Sequence, residues 1–221
     1  MRDNVMKTRA VITDLDNTLF DWVDIWHASF KAMLDQLVKS TGIAEDVMIE
    51  EFKAVFTKYG TTEYAFAIEE LPSLRRKHPD GDLTALYQDA IHAFRSARQK
   101  HMRLYPTVHD TLTSLKTSGC LIAGYTESFA FYSAYRLKTL DLDGVIDVLY
   151  SPPDHELPAE DVLAKRRQYP AEHYRLQKTA HHHTPAGAKK PAPEILLGII
   201  KDLKVEASTA IYVGDSLMKD V

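Results

Sequence analysis

Apolar residues along the chain switch between two periods, and the switches mark its organisation. Arg9-Ala-Val-Ile-Thr13 is a short β-branched run, ended by the polar stretch Asp14-Leu-Asp-Asn-Thr-Leu-Phe-Asp21. That pattern predicts a buried strand with a loop at its C-terminal end. Helical spacing follows. Trp22, Trp26, Phe30, Met33 and Leu37 recur three or four apart, share one helix face, and are stopped by Ser40-Thr41-Gly42. Met48, Phe52, Val55, Phe56 and Tyr59 predict a second helix, and Thr61 to Leu71 a third ended by Pro72. After the Pro79-Asp80-Gly81 turn, Leu83, Leu86, Tyr87, Ala90, Ile91 and Phe94 predict a fourth. Residues 21–103 therefore form an all-helical insert whose aromatic stripes read as core packing rather than as a cofactor site.

Beyond Leu104-Tyr-Pro106 the pattern alternates. Val108, Leu112 and Leu115 predict a helix ending near Gly119, Cys120 to Tyr125 a strand, and Phe129 to Leu140 a helix turned by Asp141-Leu-Asp-Gly144. Val145 to Tyr150 predict a strand, Ile195, Leu196, Ile199, Ile200 and Leu203 a helix, and Ala210-Ile-Tyr-Val213 a last strand. Strands alternating with helices predict an α/β fold, a parallel sheet covered on both faces. Residues 152–188 interrupt it with five prolines, a charged helical piece at 159–168 and His181-His-His183. They read as a rim insertion, partly helical and partly loop. It is either a small second cap or, the reading preferred here, a tolerated surface insertion of little entropic cost.

Composition narrows the function classes. The 221 residues are 26% charged with a formal net charge of −4, which disfavours phosphate-backbone binding and so a nucleic-acid partner. Cys120 is the sole cysteine, which excludes an internal disulfide and reads as a small buried apolar residue. No signal-peptide core and no run of 18 apolar residues occurs, so the expectation is a cytoplasmic protein without membrane spans. Consecutive histidines do not share one face of a strand or helix, so His181–His183 read as solvated loop residues rather than a metal site.

Polar residues fall just after the predicted strands: Asp14 and Asp16 after the first, Thr126 after the second, Asp215 and then Asp220 after the last. Lys190 precedes a helix in Lys189-Lys-Pro-Ala-Pro-Glu194. In a parallel sheet these points converge on one rim, where ligands bind. Singly each is weak, since a strand-end Asp is more often a helix cap and Gly-Asp-Ser more often a turn.

Together they resemble the haloacid dehalogenase superfamily. Asp14-Leu-Asp-Asn-Thr18 resembles its first motif, Thr126 its second, Lys190-Pro-Ala-Pro its third, and Gly214-Asp-Ser-Leu-Met-Lys-Asp220 its fourth, in the right order over residues 9–221. The Pro-x-Pro that follows selects Lys190 over Lys189. The resemblance implies a Rossmann-like core of residues 1–20 and 104–221 with residues 21–103 as a helical cap. It implies a Mg²⁺-dependent phosphatase acting on a small phosphorylated metabolite. Asp14 would be the nucleophile and Asp16 the general acid and base. Thr126 and Lys190 would bind phosphate. Asp14, the Asp16 carbonyl and Asp215 would hold the metal, with Asp220 a further or outer ligand. A carboxylate at Asp16 sets the chain apart from the family's true dehalogenases, whose halide leaving group needs no proton. The alternatives are a phosphomutase of the same family and a non-catalytic binding protein on the same fold.

The sequence also departs from the family pattern. Glu127 stands where Asn is common, and either turns outward or contacts the leaving group. Lys219 stands where Asn is common, and either pairs with Asp220 or points to solvent. Phe20, Asp21 and Trp22 begin the crossing to the insert, as ligand contacts or, for Trp22, as cap core. The chain stops at Val221, where the family's fold normally continues. The expectation is a fragment or a trimmed edge, an uncovered edge strand prone to pairing, and a poorly held Asp220. Oligomeric state is not legible.

Overall fold

A computed structural model of the protein describes residues 7–154 and 169–220. Two compact units are present: the chain up to Trp22 together with Met102 onward, and Val23–His101. The first is built on a sheet of β1 (Ala10–Thr13), β2 (Leu121–Tyr125), β3 (Val148–Ser151), β4 (Ala180–His183) and β5 (Ala210–Val213). Their order is β4-β3-β2-β1-β5, with every neighbouring pair parallel. β1 lies between β2 and β5, Ala10 opposite both Leu121 and Ala210, and all four of its residues are buried. A continuous buried run is what a strand covered on both faces requires. On one face Ile12, Ala123, Tyr125, Val148 and Tyr150 pack with Ile199 of the helix Pro193–Asp202. β5 pairs with β1, and its Ile211 and Val213 are exposed.

The second unit holds α1 (Trp22–Thr41, whose first residue belongs to the other unit), α2 (Glu45–Tyr59), α3 (Pro72–Lys77), α4 (Leu83–Leu86) and α5 (Gln88–His101). Met33, Leu34, Leu37, Met48, Phe52, Leu71 and Leu83 are at the centre of its core. The aromatic stripe is packing: Phe30 stacks on Trp26 at 5.1 Å and meets Phe52 edge-on at 5.1 Å.

Several predicted elements need correction. The helix over 61–71 is reduced to a 3-10 turn at Ala67–Glu70. The Thr61 hydroxyl captures the Glu63 amide, offering the backbone a local alternative to the helix. Pro72 does not end a helix but opens α3 at its first turn, where a missing N–H costs nothing. The fourth helix is broken at Tyr87 into α4 and α5. Cys120 precedes β2 rather than opening it, and β3 starts at Val148 because residues 141–147 form a turn held by the Ile146 amide on Leu142 O.

The largest correction lies in the rim insertion. His181–His183 are not loop residues but β4, paired in register with β3 from Val148↔Ala180 to Ser151↔His183. Asp143 accepts the amides of Gln177, Lys178 and Thr179 and so anchors the approach to this strand. The proposed helical piece at 159–168 lies outside the described residues. No helix among the described residues is long and apolar enough to cross a membrane.

His181 is hydrogen-bonded to Ser151 Oγ at 2.8 Å. Burial, with His183 and His182 adding to it, pushes its pKa down to about 4. The unfolded chain therefore takes up this proton near pH 6.5 and the folded chain only near 4, so His181 lowers stability as pH falls across that window. Urea melts of the protein and of His181→Asn should show the wild type losing stability faster between those pH values. Parallel pH profiles would refute the assignment.

Candidate active site

The chain runs from β1 through β2 and β3 to β4 on one side, then returns to β5 on the other side of β1. Such a reversal opens a crevice at the carboxyl ends of the strands. Asp14 directly follows β1, and its amide extends the ladder to Val213 O at 2.8 Å. Thr126 directly follows β2, its amide on Tyr150 O at 3.0 Å. Asp215 lies two residues past β5. Asn17 adopts a left-handed conformation with φ 61°, which turns the chain back after Asp16.

Asp14 is 8% exposed. One carboxylate oxygen receives Lys190 Nζ at 2.5 Å and the other the Thr18 hydroxyl at 3.3 Å. Burial pushes its pKa up to about 6; Lys190 opposes this, while Asp16 and Asp220 add to it. A buried carboxylate raised in this way gains from any added positive charge. Lys190 is also buried and reaches Asp220 at 3.1 Å, with its ammonium over the rings of Tyr125 and Tyr212. Lys189 is exposed.

Asp16 faces different company. Its Oδ2 accepts the hydroxyls of Ser128 at 2.6 Å and Thr126 at 3.3 Å, and its Oδ1 lies 3.1 Å from Arg136 Nη1. Thr126 thus places its proton on Asp16, and its hydroxyl also accepts the Ser128 amide at 3.0 Å.

Asp220 is not poorly held. It accepts the Tyr212 hydroxyl at 2.5 Å, the Ser216 amide at 3.0 Å and Lys190. Burial pushes its carboxyl up, but these donors together hold it below the usual range. The Tyr212 hydroxyl is driven far above its ordinary pKa by burial and by Asp220. Gly214 makes room: a Cβ there would stand 2.3 Å from Asp220 Cγ. Glu127 accepts the Lys190 amide at 2.9 Å and Lys219 Nζ at 2.6 Å. Lys219 thus pairs with Glu127, not with Asp220.

Asp14, Asp215 and Asp220 each present a carboxylate oxygen within 4.8 Å of the others. An all-oxygen, anionic donor set of this kind suits a hard divalent cation such as Mg²⁺. The residues present therefore fit the metal that the sequence motifs imply.

Three residues around the site escaped the sequence reading: Ser128, Arg136 and Tyr212. Arg136 carried a usable signal. It lies in α7 (Ala130–Thr139; α6 is Val108–Thr117) beside Ser133, Ala134 and Leu137, on the face those small and apolar positions mark as buried. A charged residue there needs a partner.

The family whose sequence model matches, over residues 8–221, is described as haloacid dehalogenase-like hydrolase. The chain is 23% identical over 216 residues to a glyceraldehyde 3-phosphate phosphatase of Methanopyrus kandleri, covering 96% of this chain and 78% of that protein. Among solved structures it is similar to a HAD phosphatase from Thermococcus onnurineus, with TM-score 0.57 and 23% identity, covering 96% of this chain and 80% of the other. A 2-haloacid dehalogenase from Pseudomonas syringae has TM-score 0.55 at 18% identity, with 96% and 80% covered. At such identities the structural likeness shows the fold.

Proposed function

The chain belongs to the haloacid dehalogenase-like hydrolases, and from that premise we propose that it is a phosphatase acting on a small phosphomonoester. The observation that carries this reading is the division of surroundings between two neighbouring carboxylates. Asp14 is buried against an ammonium, whereas Asp16 is turned onto two hydroxyls and a guanidinium. Two carboxylates in unlike environments suit two roles, nucleophile and proton carrier. The Methanopyrus relative's phosphatase name supports the same class.

In the first step an Asp14 oxygen attacks phosphorus in line. The Asp14–phosphorus bond forms as the ester oxygen leaves, and that oxygen takes a proton from Asp16. In the second step Asp16 accepts a proton from water as the water oxygen attacks phosphorus. Phosphate departs and the Asp14 carboxylate is restored. Lys190, already on Asp14, offsets the charge of the phosphoryl oxygens. Thr126 would serve phosphate by moving its hydroxyl from Asp16 to a phosphoryl oxygen. Asp14, Asp215 and Asp220, with the Asp16 carbonyl, would hold Mg²⁺, which supplies positive charge against the substrate dianion. The helical unit Val23–His101 would serve as the cap that selects substrate and excludes water.

A carboxyl at position 16 favours phosphate esters over haloacids, because an alkoxide needs a proton and a halide does not. The test is a panel of sugar phosphates, glyceraldehyde 3-phosphate, phosphoglycolate, nucleotides and phosphoserine incubated with the protein and Mg²⁺. Release of inorganic phosphate from at least one alkyl ester is expected. Dehalogenation of 2-haloacids without phosphate release would overturn the reading, and isomerised sugar phosphate without free phosphate would make the protein a mutase.

A further inference from the structure

We propose that Arg136 and Ser128 are positioning residues that fix the Asp16 carboxyl for proton transfer, an inference that rests on reading Asp16 as the acid and base. Arg136 is 3% exposed and projects from the buried side of α7. Its guanidinium lies 3.1 Å from Asp16 Oδ1, donates to Ser128 Oγ at 3.0 Å, and is flanked by the rings of Phe20 and Tyr132. An arginine so far from water is maintained only where an anion compensates its lost hydration, and Asp16 supplies a carboxylate 3.1 Å away.

The contacts form a directed chain. Arg136 donates to the Ser128 hydroxyl, which therefore turns its own proton onto Asp16 Oδ2 at 2.6 Å. Hydrogen bonds aligned in this way strengthen one another. The turn that carries Ser128 is itself pinned, because Ser133 Oγ donates to Ser128 O at 2.9 Å and the Ser128 amide donates to Thr126 Oγ1 at 3.0 Å. Asp16 Oδ2 is thereby held by the Ser128 hydroxyl, which keeps it when Thr126 turns to phosphate. Asp16 Oδ1, in contrast, accepts no well-directed hydrogen bond among the described residues. The guanidinium 3.1 Å from Oδ1 and the Ser128 hydroxyl on Oδ2 hold the two ends of the carboxyl and so fix its orientation.

The dependence on leaving group reads this role directly. An alkoxide needs a proton as it departs, whereas nitrophenolate does not, so loss of proton transfer penalises alkyl esters selectively. Four proteins would be compared, wild type, Asp16→Asn, Arg136→Met and Arg136→Lys, on p-nitrophenyl phosphate and on the fastest alkyl ester of the panel. Asp16→Asn should lower kcat for the alkyl ester by about 10²–10⁴-fold, and much less for the aryl ester. Arg136→Met should follow in the same direction, with a loss of about 10–100-fold on the alkyl ester, a several-fold loss on the aryl ester and little change in KM. Arg136→Lys should recover part of the alkyl rate. Should Arg136→Met fail to fold, Ser128→Ala removes the other hold on Asp16 and should give the same selectivity. If Asp16→Asn discriminates between the esters but Arg136→Met and Ser128→Ala slow both equally, the positioning role is wrong and the reading of Asp16 stands. If Asp16→Asn itself does not discriminate, both fall together.

Discussion

Asp14→Asn is expected to lower phosphate release by a factor on the order of 10⁴ or more, the scale on which loss of a covalent nucleophile shows in kcat. The amide is nearly isosteric with the carboxylate but has no anionic oxygen to attack phosphorus. Folding should survive, for two reasons. Lys190 retains Asp220 at 3.1 Å when its Asp14 partner is neutralised. The side chain being replaced is also one whose charge is disfavoured by burial, so neutralising it relieves a penalty as well as removing an ion pair. The comparison is initial rate at saturating substrate together with thermal melts of both proteins. Near-wild-type turnover in the variant would remove Asp14 from the nucleophile role, whereas an unfolded variant would show in the melts.

Chelation should have an effect of similar size. Asp14, Asp215 and Asp220 bring three carboxylates within 4.8 Å, and the ammonium of Lys190 touches two of them. A phosphate dianion entering such a site meets net negative charge, and at short range in a partly dry crevice this repulsion is far stronger than in water. Exhaustive treatment with EDTA is therefore expected to reduce phosphate release to less than about one hundredth, within the several kcal/mol attributed to metal charge stabilisation. Added Mg²⁺ should restore it. The same titration has a readout independent of turnover, since a cation that binds only the folded state stabilises it by about 2.7 kcal/mol at one hundred times its dissociation constant. That rise in melting temperature should vanish in Asp215→Asn. Full activity after chelation would show that the carboxylates do not need the metal.

Some of this was legible because the relevant residues are local to strand ends. Asp14 and Thr126 follow β-branched or apolar runs directly and Asp215 follows one after a single glycine, and in a parallel sheet such positions converge by topology alone. The β4 strand was not legible for the opposite reason. Ala-His-His-His carries little strand propensity. What makes it a strand is tertiary: an open edge on β3, and the Asp143 carboxylate gathering three successive amides just before it. The holding of Asp220 was likewise hidden. Tyr212 in β5 reaches across to it, and sequence spacing alone does not say which strand residues face the rim. Pro72 was misread because its effect depends on which side of the proline the helix lies.

The helical unit leaves and rejoins the sheet unit through a closed doorway. Phe20 bridges Leu104, and the Tyr105 amide donates to Leu19 O at 2.9 Å, so the outgoing and returning chains are tied together at the threshold. To the sheet, everything between Val23 and His101 amounts to one loop whose ends are already joined. Closure entropy grows only with the logarithm of loop length. The sheet's stability should thus be nearly indifferent to how much chain is threaded between those ends. The insert can then be remodelled, enlarged or exchanged with little effect on the carboxylates at the strand ends.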